Sequence, residues 1–157
     1  MWREKGFSLN ELMIVIAIMA IVTVVSIPSY LRWRDNTRVQ NAASNIRADF
    51  ERAKLRAIRE NGNVRVVFLD ATSYMLHVDT NGNNAIDAGE VTVANKTLPE
   101  GVSISGNTFS GSDMSFNARG LPVGGPGGAG TVSLMSAGGR QYDVIVNSVG
   151  RVRTVRH

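Results

Sequence analysis

The chain has 157 residues, 43% of them hydrophobic, and no cysteine, so no disulfide is available to it. The net charge of +4 is unevenly spread: residues 1–31 sum to 0, 32–66 to +5, 67–100 to −4 and 101–157 to +3. With only His77 and His157 and no nucleophile motif, no enzyme reading survives, and His77 falls mid-strand as an ordinary strand residue.

The first thirty residues organise the rest. Leu12 to Ile27 is an uncharged run of sixteen, and extended to Leu31 it makes twenty positions, a helix of ~30 Å, about one hydrocarbon thickness. A secretory signal peptide carries a small-residue cleavage site after its apolar core. None follows here; the conspicuous junction, Gly6-Phe7, precedes the core, at the end of a short leader with Arg3 and Lys5. Ser8-x-x-Glu11 has the spacing of a capping box at a helix start.

The string Gly6-Phe7-Ser8-Leu9-Asn10-Glu11-Leu12 closely resembles the class III signal of type IV pilins and pseudopilins. That resemblance implies a leader over 1–6, cut by a prepilin peptidase between Gly6 and Phe7 and followed by N-methylation of Phe7. It implies that 7–31 stays on the protein, first as an inner-membrane anchor and then as the packing helix of a filament of pilins. It pairs Glu11 with the Phe7 amine of a neighbouring subunit, beside the local reading of Glu11 as a cap. The arginines at 32, 34 and 38 make a positive-inside count lean against a domain outside the cytoplasm. The cleavage junction outweighs that count, because the peptidase works at the cytoplasmic face. Many major pilins carry a C-terminal disulfide, so a cysteine-free chain fits a minor subunit or pseudopilin better.

Beyond Pro28, which removes one intrahelical bond, apolar residues recur at three- and four-residue steps from Val39 through Ile46 and Phe50 to Ala57. This predicts one helix from about Ser8 to Asn61, with Asn61-Gly62 as its stop and Arg47, Asp49, Glu51, Arg52, Lys54 and Arg59 on other faces, the arginines among them reading as a solvated helix face. Short β runs follow at 64–69 and 74–78, a hairpin across Asp70–Ser73, and at 91–94, 102–104, 114–116, 131–135, 142–146 and 152–155. Gly120–Gly130 reads as a flexible loop without the ending of a phosphate-binding loop. The fold class is α+β: one long N-terminal helix, then an antiparallel β-sheet domain, with the globular part over 32–157.

Asp79 to Glu90 reproduces the ligand spacing of an EF-hand loop, with Asp79, Asn81, Asn83, Asp87 and Glu90 at positions one, three, five, nine and twelve. Asn84 stands where such a loop has Gly, and no exiting helix follows. The two readings are a structural calcium site and an Asn/Gly/Asp-rich turn between strands.

Phe116 to Pro122, Gly130-Thr131-Val132, Gly139-Arg140 and Ser148 to Arg153 resemble the H-type minor pseudopilins of type II secretion and the FimT/FimU minor pilins. Some FimT-like members take up DNA through a Gly-Arg-x-Arg segment, which here is Gly150-Arg151-Val152-Arg153. On a strand Arg151 and Arg153 would project together while Val152 packs inward, with Arg140, Arg156 and His157 as candidate additions to the patch. The bland reading is exposed arginines on a final strand. The expected function is a minor pilin or pseudopilin of a type IV pilus or a type II secretion pseudopilus; the alternatives are a DNA-binding competence subunit and a simple membrane-anchored β domain.

Overall fold

The computed structural model describes residues 8–83, 85–109, 111, 113–124 and 128–157. It comprises one helix and nine strands: α1 (Leu9–Glu60), β1 (Asn63–Phe68), β2 (Ser73–Asp79), β3 (Val91–Thr97), β4 (Val102–Asn107), β5 (Asp113–Phe116), β6 (Pro122–Val123), β7 (Gly130–Ser136), β8 (Gln141–Val146) and β9 (Val152–Arg156). The chain divides into two compact units, Met1–Arg34 and Asp35–His157.

In the second unit every strand pairing is antiparallel. One sheet has five strands in the order β3-β2-β1-β5-β6, and the other has four in the order β4-β7-β8-β9. The apolar stripe expected from periodicity is the buried face of α1: Val39, Ala42, Ile46, Phe50, Ala53 and Ala57 are each at most 1% exposed. Alanines on that stripe let strands approach the helix closely, and Phe50 fills the space between, edge-on to Phe68 at 6.4 Å and to Phe109 at 6.0 Å. Val64, Val66, Met114 and Phe116 reach this core from one sheet and Val132, Leu134, Val144 and Val146 from the other.

The helix stops where the sequence suggested. Asn61 takes the left-handed conformation (φ 50°), Gly62 N donates to Ala57 O at 3.1 Å and Asn61 N to Ile58 O at 3.4 Å, the paired bonds of a Schellman motif. At the β1–β2 hairpin the Asp70 carboxylate accepts from Thr72 N, Thr72 Oγ1 and Ser73 Oγ at 2.6–2.8 Å. These bonds, the one from Ser73 first, hold its carboxyl down at about 2.

One expectation is corrected. Gly120–Gly130 is not all loop, because Pro122 and Val123 form β6 opposite Phe116 and Ser115. Pro122 is the first residue of β6, which lies at the edge of its sheet, and in such a position a residue without an N–H need cost no ladder bond. Of the charged residues placed off the apolar stripe of α1, Asp49 and Lys54 are tied into the fold. Asp49 is buried, accepting from Tyr74 Oη at 2.8 Å and pairing with Arg52 Nη1 at 2.7 Å. Burial first, then the bond to Asp49, pushes the Tyr74 phenol well above its ordinary range. Lys54 Nζ donates to Gly150 O at 2.9 Å.

Candidate functional site

The Gly6-Phe7 junction lies outside the described residues, and the helix start just after it is described. Ser8 N and Ser8 Oγ donate to Glu11 Oε2 at 2.9 and 3.0 Å, and Glu11 N donates to Ser8 Oγ at 3.2 Å. These reciprocal bonds are the capping box that the spacing predicts. Downstream, Leu12, Ile14, Ile16, Ile18, Ile21 and Val24, which sample all sides of the helix, are exposed within the chain. A helix apolar all round is stable only when something else covers it, a bilayer or other helices. By length and composition it is sufficient to cross a membrane. Two of its hydroxyls bond back to the helix itself: Thr23 Oγ1 donates to Met19 O at 2.7 Å and Ser26 Oγ to Val22 O at 2.8 Å. Tyr30 and Trp33, which sequence reasoning passed over, lie tilted against each other with centroids 5.9 Å apart at the end of the apolar run. Amphipathic rings at the end of an apolar run are a recognised pattern, and the aromatic pair was legible as such in the sequence.

The 79–90 loop is held by its own hydrogen bonds. Asp79 Oδ1 accepts from Gly82 N at 2.7 Å, and Asp87 Oδ2 accepts from the side-chain amides of Asn81 and Asn83 at 2.8 and 2.6 Å. Asn81 Oδ1 and Asn83 Oδ1 accept from backbone N–H groups two residues on, which makes two Asx turns. Glu90 Oε1 accepts from Thr80 N and Oγ1, and Glu90 Oε2 lies 2.7 Å from His77 Nε2. The His77 ring is fully buried and the Glu90 side chain nearly so. The bond to His77, above all, holds the Glu90 carboxyl down at about 2. Arg65, paired with Asp113, also donates to Ala85 O at 3.3 Å and fastens the loop to the sheet. Among the described residues no three of His, Cys, Asp and Glu are grouped as a metal would need. Asn84 lies outside the described residues. The geometry present is that of an interlocked turn, in which the expected ligand oxygens already serve protein donors.

On the tail, Val152 is buried and Arg151 and Arg153 are exposed, the alternation expected of a strand. They line one cavity of about 300 Å³ with Ile145 and Asn147. Arg140 and Arg156 are elsewhere. Arg156 pairs in register with Tyr142, at the opposite end of β8 and β9 from the Val146–Val152 pair, ~13 Å along the strand. Three residues on from Arg153, it also has the opposite facing. Arg140 Nε donates to Asn36 Oδ1 at 3.3 Å, and His157 Nε2 lies 2.9 Å from Asp143 Oδ2. The patch expected from sequence is therefore two arginines, not four.

The residues that carry the C-terminal resemblance build two matching turns. In each, an Asn (Asn117, Asn147) accepts at its carbonyl from the Gly three residues on, and its Oδ1 accepts from the N–H four residues on. The two turns touch. A Cβ on Gly150 would stand 2.6 Å from Gly120 O, and Gly150 has φ +76°, so glycine is required there on both counts.

The model for the type II transport protein GspH matches residues 42–150. The chain belongs to the GspH family. The prokaryotic N-terminal methylation motif matches residues 3–27. Among solved structures, the fold is similar to the type IV minor pilin FimU of Pseudomonas aeruginosa, with a TM-score of 0.60, 16% identity, and 78% of this chain and 92% of that one covered. It is similar as well to the minor pseudopilin EpsH from the type 2 secretion system of Vibrio cholerae (TM-score 0.58, 14% identity, 76% and 97% covered). The E. coli GspH solution structure aligns at TM-score 0.58 and 17% identity, covering 77% and 89%. At these identities the likeness is one of fold. The type IV major pilin protein PilA of Myxococcus xanthus is 37% identical over 46 residues, which is 29% of this chain and 21% of that protein. A fimbrial protein of Pseudomonas aeruginosa is 44% identical over 48 residues, 31% of each. The chain spans less than a third of the length of these curated relatives. GspH-family members are structural pilin-like subunits.

Proposed function

We propose that the chain is a minor pilin or pseudopilin subunit of a type IV pilus or a type II secretion pseudopilus. The observation that carries this reading is the segment from Ser8 to Ile27: a capped helix, uncharged after Glu11, with apolar side chains exposed on every side. Such a helix has two homes in turn. In the inner membrane lipid covers it, with the globular unit outside the cytoplasm. In the filament the same helices of other pilins cover it, and Glu11 exchanges its cap for the Phe7 amine of a neighbour. In surroundings of low dielectric an ion pair can exceed the ~1 kcal/mol of a cap. The prepilin peptidase acts first, cutting after Gly6, and Phe7 is N-methylated.

Mass spectrometry of the chain purified from membranes that contain the peptidase tests this. The expected product begins at N-methylated Phe7. Recovery of chains that all begin at Met1 would overturn the assignment.

A second reading rests on the cavity shared by Arg151 and Arg153. Neither guanidinium has a carboxylate partner among the described residues, so the pair is available to phosphate, and DNA is the proposed ligand of a competence subunit.

A further inference from the structure

A groove of about 580 Å³ opens between α1 and β3, within the globular unit and apart from the helix and tail features above. Its α1 side carries Arg52, Arg56 and Arg59, and its β3 side carries Lys96. Leu76, buried on β2, forms the floor, flanked by Leu55 and Ala94. The register explains why these side chains converge. Ala94 stands opposite Leu76 and Lys96 opposite Tyr74, so both share the face of the sheet on which Tyr74 reaches Asp49 of α1.

Two properties of the groove are unsatisfied among the described residues. The first is backbone. β3 is the edge of its sheet, seven residues long and largely exposed, and among the described residues it pairs only with β2. Alternate N–H and C=O groups along its outer side face away from that partner, a template for another strand. The second is charge. Arg52 pairs with Asp49, and Arg56 and Arg59 share Glu60 at 2.8 and 3.9 Å. Lys96 has no carboxylate partner among the described residues. Four cations meet two carboxylates, which leaves a surplus of two positive charges beside an apolar floor.

We propose that this groove receives an extended, acidic segment of a partner protein, added as a sixth strand along β3. Strand addition gives affinity through main-chain bonds and selectivity through alternate side chains. Inward positions of the added strand recur every ~7 Å, so a central apolar residue rests on Leu76 and Ala94 while a carboxylate on either side meets Lys96 and Arg59. The chemistry selects against basic segments and against any segment with proline along the paired edge.

The probe is a fluorescein-labelled peptide, Ser-Glu-Thr-Val-Thr-Glu-Ser, titrated against the full chain in neutral detergent micelles at 50 mM salt and read by fluorescence anisotropy. Saturable binding is expected, weakened about tenfold or more by Lys96→Glu with Arg59→Glu. Both side chains are exposed, so the melting temperature should be unchanged, and Lys96→Ala with Arg59→Ala serves in its place if the reversed pair misfolds. The same peptide N-methylated at alternate amides, or with Lys for Glu, should not bind. Absence of binding by the first peptide, equal binding by either variant pair, or equal binding by the N-methylated peptide would overturn the proposal. So would an oligodeoxythymidine that binds this groove when the peptide does not. None of these outcomes bears on assembly through the N-terminal helix, which rests on other residues.

Discussion

His77 Nε2 stands 2.7 Å from Glu90 Oε2, and this buried contact closes the 79–90 loop by tying the strand before it to the residue where it ends. Glu90 also accepts Asp87 N at 3.2 Å and both donors of Thr80, so one carboxylate organises the loop from inside. Its carboxyl, about 2 against an ordinary 4.5, binds a proton less readily folded than unfolded. Between those two values the unfolded chain holds more protons, so stability is fully present above about pH 4.5 and lost as pH falls toward 2. Glu90→Gln should therefore melt lower than the unsubstituted chain at pH 6, with the gap closing near pH 2. Thermal melts across pH 2–7 read this directly, and a gap of constant size would show that Glu90 is not held in its charged form.

The loop also decides the calcium question in a measurable way. Asp79, Asp87 and Glu90 already accept protein N–H and amide donors, so a cation would have to displace those bonds. The full chain in detergent should then melt at the same temperature in excess calcium as in chelator. A rise with calcium that Asp79→Ala or Glu90→Ala removes would mean that the loop re-forms around the ion, since a ligand of the folded state alone stabilises it.

How much of this was legible in sequence depended on range. The buried stripe from Val39 to Ala57 has the helical period, and eight of the nine strands have apolar runs bounded by turn residues. β6 was hidden because Pro122 reads as loop until its sheet-edge position is known. Asp49 was hidden because charge reads as surface until Tyr74 and Arg52 are seen around it. The EF-hand spacing and the interlocked turn use the same Asn and Asp residues, so only geometry separates them. His77 meets Glu90 across a bulge, where the register slips between Leu76 and His77 and the pairing jumps from Ala94 to Thr92. Nothing local announces that contact. Arg140 and Arg156 were grouped with the tail by closeness in sequence, and strand register parts them.

Phe50→Ala tests the core. The ring is fully buried and packs edge-on against both Phe68 and Phe109, which belong to different parts of the sheet region. Truncation of such a residue costs about 3–5 kcal/mol, a large share of the ~5–15 kcal/mol that holds a domain folded. Denaturant unfolding of the full chain should show that loss, with the helix start at Ser8 unaffected. A cost below about 1 kcal/mol would mean that the two phenylalanines collapse into the space.

Glu11→Ala separates capping from assembly. It removes a carboxylate that is costly at the edge of an apolar helix, up to ~2.5–3.5 kcal/mol were it to reach the membrane centre. Membrane insertion should be intact, and incorporation into filaments, read by shearing and immunoblot, should fall. Normal incorporation would leave Glu11 the capping role alone, which its bonds to Ser8 already describe.

The tail gives the last prediction, and the structure sharpens it. Arg151 and Arg153 share one cavity, while Arg140 and Arg156 sit at the other end of the strand pair. Two phosphate contacts are then the most this patch supplies. At a slope of about −0.9 per contact, the logarithm of affinity for duplex DNA should fall by about 1.8 per decade of salt, so a rise from 50 to 200 mM costs about 12-fold. Binding should be weak and indifferent to base sequence, because phosphate contacts position a protein without reading bases. Arg151→Gln with Arg153→Gln should flatten the slope by about 1.8, whereas Arg140→Gln with Arg156→Gln should leave it unchanged. The first pair also spares the turn, since Asn147 Oδ1 accepts from the Arg151 main chain and not from its side chain. Should the first pair bind DNA as well as the unsubstituted chain, the segment's role is the one its glycine already displays, close packing of the Asn147 turn onto Gly120.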